Sequence, residues 1–330
     1  MCGYWVAQAI HVAAELGLAD LIGKKPRHVE QLAADTHTHA PSLYRVLRAL
    51  ASTGIFAEAS PQHFVQTPMG VMLRTDMPGN LAAFSRMQGD AWHWQAWGDI
   101  VESVRGGKTA LALRHNTPNC FDYLAQHARH APSAAVFNDA MRGYAAQVNT
   151  AVVDAYDFTA AALIVDVGGG NGGLLGAILE CAPRARGLLF DRPAVLAEAG
   201  AVLEQHGAAQ RCVMQAGNFF DTAPAGGDVY LLSSVLHDWD DDNASVILRH
   251  VRSAMHDKAA TARVLVIEHV LPDTDEAHPG KFIDLEMMLV TGGRERTAEE
   301  YESLLNRNGF ALHRVIPTAA SASIVEARAI

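Results

Sequence analysis

The residues in this chain that are best suited to chemistry form a glycine-rich turn near its middle. The turn, residues 168–173, follows a short apolar segment that contains Asp166, and it leads into an apolar, helix-like stretch. Such a turn needs glycine because its backbone takes positive φ angles and lets a ligand approach closely. Asp191 follows a second apolar run, where a carboxylate can hydrogen-bond a pair of ribose hydroxyls. The pattern therefore predicts a site for an adenosine-containing cofactor.

Two cofactors fit this turn. Gly168, Gly170 and Gly173 satisfy the G-x-G-x-x-G pattern of dinucleotide-binding folds. The same stretch, from Asp166 to Gly172, also reads D-x-G-x-G-x-G, which is typical of enzymes that use S-adenosylmethionine. That cofactor has no phosphate, but its sulfonium and ammonium groups favour a nearby carboxylate. The turn alone favours the methyl donor and leaves a nicotinamide cofactor, or a turn without a ligand, open.

Polar side chains also follow the other predicted strands. Because ligands of doubly wound sheets bind at the carboxyl ends of the strands, Asn218 and Phe219 are candidates to receive an adenine. His237 follows the fourth strand. A histidine with the ordinary pKa of about 6.5 is mostly neutral at pH 7 and can accept a proton. Glu268, at the end of the fifth strand, is placed to orient this imidazole through its second nitrogen.

Two acidic features allow more than one interpretation. The aspartates within residues 238–242 could form a metal site, but a role in capping the helix predicted from Asn243 to Met255 is favoured. Glu295 comes directly before another predicted helix. It either complements that helix dipole or joins His237, and spacing alone does not decide between these roles.

The first half of the chain, up to about Tyr156, has an almost entirely helical pattern. A helix at 4–18, a second at 42–50 and a hairpin within 54–67 follow the order of a winged helix. A scaffold is favoured over a DNA reader or a regulator, because the recognition helix of this acidic protein would offer only Arg45 and Arg48.

From residue 163 onward, strands and helices alternate. The predicted strands are 163–167, 187–190, 212–215, 229–233 and 263–270, and the predicted helices are 172–181, 193–206, 243–255 and 297–308. Such alternation indicates an α/β domain with a parallel sheet covered on both faces. The segments 312–316 and 322–325 are joined by only a turn, so they must run antiparallel. This ending differs from a dehydrogenase sheet, so it shifts the cofactor prediction to S-adenosylmethionine. The pattern predicts two domains, a helical domain of residues 1–155 and a cofactor-binding domain of residues 156–330.

The composition and net charge limit the kinds of partner and site that we expect. A chain of 330 residues can hold two domains, and its net charge of −10 argues against nucleic acid or an anionic membrane as partner. Its four cysteines show neither paired nor metal-binding spacing, so they are expected to be buried or incidental thiols. The longest apolar runs are too short to span a membrane, and the first residues lack a secretion signal, so we expect a cytoplasmic protein.

Several segments together carry a family resemblance. These are residues 137–141, 165–170, 190–193, 236–239 and 293–297. They strongly resemble the plant-type small-molecule O-methyltransferases, the family of the caffeic acid, isoflavone and acetylserotonin O-methyltransferases and their bacterial natural-product relatives. The likeness covers nearly the whole chain. It implies a helical dimerisation domain with a winged-helix core, followed by a Rossmann-like methyltransferase domain that needs no metal.

The resemblance also implies roles for single residues. It makes His237 the general base and places Glu268 and Glu295 beside it. The candidate cofactor residues are Asp166, Gly168, Gly170, Asp191, Arg192, Asn218, Phe219, Ser233 and Trp239. The candidate acceptor residues are Phe137, Met141, Tyr144, Asp238 and Met287. Three positions depart from the family pattern: Ser233 stands for a common lysine, Asn218 for an aspartate and Ala145 for a frequent serine.

These expectations combine into one hypothesis. The protein would transfer a methyl group from S-adenosylmethionine to a hydroxyl of a small aromatic acceptor, with His237 removing the proton. Two alternatives remain open, an enzyme of this fold with non-methylating chemistry and a winged-helix regulator that senses a small molecule. The apolar residues Trp5, Val6 and Ile10 of the first helix predict a homodimer formed through the N-terminal domain.

Overall fold

The computed structural model describes residues 2–126 and 130–330, and its contacts divide the chain into two compact units. The first unit comprises Met1–Asp99 and Asp122–Ala145, and the second comprises Ile100–Phe121 and Ala146–Ile330. The helix Ala131–Ala155 contributes residues to both units. The contacts therefore divide the chain differently from the predicted boundary at residue 155.

The first unit is mainly helical. Its helices are Gly3–Glu15, Leu18–Ile22, Val29–Asp35, Ala40–Ser52, Pro68–Val71, Ala82–Gly89 and Ala91–Gly98, together with parts of Cys120–Ala125 and Ala131–Ala155. A small antiparallel sheet places the strand His63–Gln66 between Arg27–His28 and Phe56–Ser60. Leu43, Leu47 and Leu50 recur at helical spacing and are all buried. The predicted order of helix, turn, helix and hairpin is confirmed.

The second unit is built on a seven-stranded sheet. From one edge to the other, its strands are Phe310–Pro317, Ser323–Ala329, Arg263–Glu268, Val229–Ser233, Leu163–Val167, Arg186–Asp191 and Cys212–Ala216. The last two strands of the chain pair antiparallel with each other, and Ser323–Ala329 also runs antiparallel to Arg263–Glu268. The remaining pairs are parallel. The predicted doubly wound sheet with an antiparallel terminal pair is confirmed.

Helices cover this sheet, and further helices of the unit come before its first strand along the chain. They are Ile100–Gly106, Ala110–His115, Gly173–Cys181, Pro193–Leu196, Ala199–Gln205, Asp241–Ala254, Gly280–Val290 and Ala298–Arg307. Short 3₁₀ turns occupy Ala209–Arg211, Leu236–Asp238 and His256–Lys258. Within the described residues, no helix is both long enough and apolar enough to cross a membrane.

One predicted strand is interrupted, and the interruption affects the candidate site. The strand expected at 263–270 ends at Glu268, and Val270–Leu271 instead pairs in parallel with Arg296–Thr297. This small second sheet holds the segment around Glu295 near the end of the main strand. In the main sheet, Leu163–Val167 pairs with Arg186–Asp191 on one side and Val229–Ser233 on the other. The strand order therefore reverses there, which is where doubly wound sheets bind ligands.

Candidate active site

The glycine turn has the backbone that its sequence predicts. Gly168, Gly170 and Gly172 have φ angles of 71°, 61° and 78°. A Cβ atom on Gly168 would lie 2.9 Å from the Val235 side chain and 3.3 Å from the Phe219 ring. Any other residue there would be strained and would crowd its neighbours. The turn therefore lies close against the segments that follow the third and fourth parallel strands.

Asp191 connects the second strand to this turn. One of its carboxylate oxygens accepts a hydrogen bond from the Gly170 amide at 2.9 Å, and the other accepts from the Arg192 amide at 2.6 Å. Burial raises the pKa of the carboxyl group, and these two amides partly oppose that effect. Two backbone donors thus fix the direction of the carboxylate, as a site for a ribose requires.

Asp166 differs sharply from Asp191. Its side chain is 1% exposed, and neither carboxylate oxygen has a hydrogen-bond partner in the described part of the chain. Burial and the nearby Asp191 raise the pKa of Asp166 to about 7. A buried carboxylate without a partner is unfavourable unless a ligand compensates it. A cationic ligand such as S-adenosylmethionine, with its sulfonium and ammonium groups, suits this carboxylate.

Aromatic rings gather beyond the third strand. The Phe219 and Phe220 rings both contact Trp239, with centroids 6.2 Å and 4.7 Å from the Trp239 ring. Asn218 turns its amide oxygen back onto the Phe220 backbone amide at 3.0 Å. Ser233 ends the fourth strand, and Ser234 after it has a φ of 52°, which is uncommon outside glycine. The predicted adenine side is thus an aromatic cluster with a side-chain amide held beside it.

His237 lies in the short turn after the fourth strand and is paired with Glu295. The imidazole Nδ1 is 2.8 Å from Glu295 Oε1, and Nε2 is 3.8 Å from Asp238 Oδ1. The Glu295 backbone amide donates to Asp284 Oδ1 at 2.8 Å, so the segment that carries the carboxylate is itself held. Of the two roles left open for Glu295, the structure shows the pairing with His237.

The expectation that Glu268 orients the imidazole is wrong. Its Oε1 atom accepts from the backbone amides of Val235, Leu236 and His237, at 3.1, 2.6 and 3.1 Å. Its Oε2 atom accepts a short hydrogen bond from the Tyr301 hydroxyl. The strand ends at Glu268, and the turn that carries His237 folds back so that its backbone amides point at this carboxylate. Glu268 therefore holds the backbone of the turn, while Glu295 holds the ring.

Arg296 is a residue of this site that the sequence analysis did not single out. Its guanidinium is fully buried and donates to the carbonyls of Leu236 and Trp239 at 3.2 and 3.0 Å. It also pairs with Asp241 at 2.9 Å. A Cβ on Gly293 would lie 2.0 Å from the His237 carbonyl oxygen, so only glycine allows this approach. The one available signal in the sequence was an arginine directly after Glu295, in a segment that begins with two glycines.

The aspartates after His237 serve the helix that follows. Asp240 accepts from the Asn243 amide at 2.9 Å and caps the helix Asp241–Ala254. Asp241 pairs with both Arg296 and Arg307. The capping role is therefore confirmed. Among residues 2–126 and 130–330, no cluster of three histidine, cysteine or acidic side chains is arranged to hold a metal ion.

The charges around His237 oppose the effect of its burial. Burial lowers the pKa of the imidazole, but Asp238, Glu295 and Glu268 outweigh it and raise the pKa to about 10. Burial raises the pKa of Asp238 to about 7, although His237 lowers it in part. The ligand-free imidazole therefore carries a proton at neutral pH and is a strong base once that proton is lost.

The candidate acceptor residues fall in both units. Asp238 lies beside His237, and Met287 is buried in the helix Gly280–Val290 of the same unit. Phe137, Met141 and Tyr144 belong to the first unit and share one face of the helix Ala131–Ala155, at spacings of four and three residues.

Comparison with known proteins gives the family. The O-methyltransferase domain matches residues 97–311, and the O-methyltransferase dimerisation domain matches residues 1–76. The chain belongs to the O-methyltransferase family. Solved structures similar to it include LaPhzM, with a TM-score of 0.91 and 46% identity over 99% of this chain and 96% of that one. Another is NcsB1 in complex with S-adenosylmethionine and 2-hydroxy-5-methyl naphthoic acid, with a TM-score of 0.81 and 32% identity over 98% and 96%.

Curated relatives span almost the same length. The phenazine O-methyltransferase PhzM of Lysobacter antibioticus is 46% identical over 99% of this chain and 94% of the relative. The mitomycin biosynthesis 6-O-methyltransferase of Streptomyces lavendulae is 39% identical over 99% and 92%. The 8-amino-8-demethylriboflavin N,N-dimethyltransferase of Streptomyces davaonensis is 34% identical over 98% and 92%. The protein is thus a methyltransferase whose cofactor is S-adenosylmethionine, and the nicotinamide prediction falls away.

Proposed function

We propose that the protein methylates a hydroxyl group of a small, flat aromatic acceptor, with His237 as the general base. The observation that carries this proposal is the 2.8 Å contact between His237 Nδ1 and Glu295 Oε1. A carboxylate that accepts from Nδ1 fixes the tautomer in which Nε2 can take a proton. Glu268 and Arg296 support the proposal because they hold the backbone of the same turn from two sides.

Four residues of the glycine turn and its neighbouring strand would hold the cofactor. These are Asp166, Gly168, Gly170 and Asp191, with Arg192, Asn218, Phe219, Ser233 and Trp239 as further candidates. Bound S-adenosylmethionine supplies an electrophilic methyl group. Asp166 would compensate positive charge, and Asp191 would receive the ribose hydroxyls. The departures at Ser233, Asn218 and Ala145 lead us to expect a cofactor affinity that differs from that of family members with the usual residues.

His237 would act on the acceptor hydroxyl. A phenol with a pKa of about 10 is mostly protonated at pH 7, so removal of its proton by a positioned base contributes roughly 10²- to 10⁴-fold. The imidazole accepts that proton at Nε2 only when it is itself neutral. Because its pKa in the ligand-free protein is raised to about 10, we expect kcat/KM to rise with pH through the neutral range.

The relatives favour an aromatic acceptor with fused rings. Their names specify a phenazine and mitomycin for O-methylation, and a riboflavin derivative for N,N-dimethylation. Phe137, Met141, Tyr144, Asp238 and Met287 are our candidates for contacts with such an acceptor. The side chains are mostly apolar or aromatic, which suits a flat ring system.

The test is a mass-spectrometric screen of phenolic, phenazine and quinone acceptors with S-adenosylmethionine. We expect a gain of one methyl group, and NMR of the product should place it on oxygen. A methyl group on nitrogen would overturn the hydroxyl assignment. A product that lacks an added methyl would instead favour the non-methylating chemistry considered above.

We also propose that the protein is a homodimer formed through its dimerisation domain. Trp5 is 60% exposed, Tyr4 and Val6 beside it are exposed too, and the Tyr4 ring lies 6.1 Å from that of Trp94. Exposed aromatic side chains in a cluster mark an interaction surface. Light scattering at micromolar concentration should give twice the chain mass, and Trp5→Glu should shift it towards the monomer. A monomeric wild-type protein would contradict this proposal.

A further inference from the structure

Trp92 carries a buried polar group that the proposed mechanism does not use. It lies in the helix Ala91–Gly98 and is 4% exposed, and its indole Nε1 has no hydrogen-bond partner in the described part of the chain. A buried donor without a partner loses the hydrogen bonds that it would make with water, and this is unfavourable. Such groups are rare in native proteins and call for a specific explanation, such as a bound ligand.

The surroundings of Trp92 are aromatic. The Phe137 ring lies edge-on to the indole at 6.3 Å, and the Tyr123 ring is tilted against it at the same centroid distance. The His93 ring is perpendicular to it at 5.4 Å. Phe137 shares a helix face with Met141 and Tyr144, the side chains that the proposed function assigns to the acceptor. The unpaired N–H therefore belongs to a cluster of aromatic side chains next to a candidate acceptor residue, and aromatic side chains suit flat ring systems.

We propose that the Trp92 indole N–H donates a hydrogen bond to a ring nitrogen or ring carbonyl oxygen of the methyl acceptor. This inference rests on the proposed function and specifies its substrate class: nitrogen-containing or quinone-like aromatics over all-carbon ring systems of the same shape. A site built around a buried donor rejects an analogue without the matching acceptor atom, because that analogue leaves the donor unpaired. An indole that only packs against its neighbours would not discriminate in this way.

The first experiment compares two ligands of the same outline, 2-hydroxyphenazine and 2-anthrol, which differ in ring nitrogens against CH groups. Calorimetry with the full-length protein saturated with S-adenosylhomocysteine measures both affinities. We expect the phenazine to bind about 10-fold more tightly or better. Trp92→Phe keeps an aromatic ring but removes the N–H, and it should reduce this preference to near one. Equal binding of the two ligands by the wild-type protein overturns the inference.

Trp94→Phe is the matched control, because Trp94 lies in the same helix and is 39% exposed. It should leave the preference unchanged. If Trp92→Phe weakens both ligands by the same factor, Trp92 only packs, and the inference is wrong. A second measurement uses only the wild-type protein, so it does not depend on a variant that folds. In NMR spectra, the chemical shift of the Trp92 indole N–H should change when the phenazine is added and should not change with the anthrol. An unmoved resonance with the phenazine shows that the N–H does not bind the ligand, and it overturns the inference.

Mass spectrometry on the same ligands separates this inference from the proposed function. If a methyl group is gained without any preference for ring nitrogen, the proposed function stands and the inference falls. If the phenazine binds preferentially but gains no methyl group, the role of Trp92 in binding stands and the proposed methylation falls. If neither ligand binds, the inference is overturned.

Discussion

The turn that carries His237 and the glycine turn, with Asp166 just before it, lie in one unit, and their buried acidic groups are paired differently. In the first turn, three backbone amides bind Glu268, two carbonyls bind Arg296 and the imidazole binds Glu295. Asp166, in the strand that leads into the glycine turn, is as buried as Glu268, yet neither of its carboxylate oxygens has a partner among the described residues.

Under the proposed function, the difference corresponds to two tasks. A general base has to point in one direction throughout the reaction, so its turn is held by hydrogen bonds that are present without a ligand. A site for a cation has to gain free energy when the ligand arrives, and an unpaired carboxylate provides that gain. Acid-to-amide and acid-to-alanine substitutions should therefore have different consequences in the two turns.

The largest effect is expected at the base. His237→Ala should lower kcat roughly 10²- to 10⁴-fold, because proton removal matters only as the oxygen attacks. The affinity for S-adenosylhomocysteine should change little. Steady-state kinetics and calorimetry check both. Raised pH should partly restore the activity for acidic phenols, since the phenolate then forms in solution. A variant with wild-type kcat near neutral pH would show that His237 does not act as the base and only lines the pocket.

The next effect concerns stability. Glu268→Gln should lower the free energy of unfolding by about 3 kcal/mol, since several charge-assisted hydrogen bonds of about 1.5–3 kcal/mol each are lost or weakened. Tyr301→Phe removes only the hydroxyl that donates to the other carboxylate oxygen, so it should cost less. Urea denaturation of both variants gives the comparison. Equal stability of Glu268→Gln and the wild-type protein would show that the turn does not depend on this carboxylate.

Much of this architecture could be predicted from the sequence. The strands Leu163–Val167 and Val229–Ser233 match their predicted bounds because each is a short apolar run between turn residues. The antiparallel end of the sheet followed from a connection too short for a crossover. His237 and Asp191 were found because ligands of such sheets bind at strand ends.

The residues that hold the turn of His237 in place could not be predicted from the sequence in the same way. Whether Glu268 faces an imidazole or backbone amides depends on how the turn after the fourth strand folds back onto it, and residues that far apart in sequence give no indication of this contact. Arg296 acts through carbonyls that come from a segment far away along the chain. The unpaired N–H of Trp92 is a property of packing, and its sequence neighbours gave no indication of it.

The third prediction returns to the cofactor side. Asp191→Ala should weaken S-adenosylmethionine binding by about 1.5–3 kcal/mol through the loss of charge-assisted hydrogen bonds to the ribose. Asp228→Ala is the matched control, because that carboxylate also accepts from two backbone amides but lies at the start of the first parallel strand. Calorimetry should show weaker binding only for Asp191→Ala. Unchanged affinity in a folded Asp191→Ala variant would remove Asp191 from the site.

The smallest effect, and the one with the opposite sign, is expected at Asp166. The carboxyl group of the unfolded chain loses its proton near its ordinary pKa of 3.8, whereas in the folded protein burial and Asp191 raise that pKa to about 7. The folded state therefore binds more protons between these values, and the wild-type protein loses stability as the pH rises through this window. Asp166→Asn cannot ionise, so it should match the stability of the wild-type protein at pH 4 and exceed it at pH 8.

The same substitution should weaken binding of the cationic S-adenosylmethionine more than binding of S-adenosylhomocysteine, which lacks the sulfonium charge. Urea denaturation of the ligand-free protein at both pH values, followed by calorimetry with the two compounds, measures these effects. Glu268→Gln serves as the internal comparison, because the same change of acid to amide removes bonds there. If Asp166→Asn is also destabilised at pH 8, then its carboxylate is already compensated in the ligand-free protein, and the contrast between the two turns disappears.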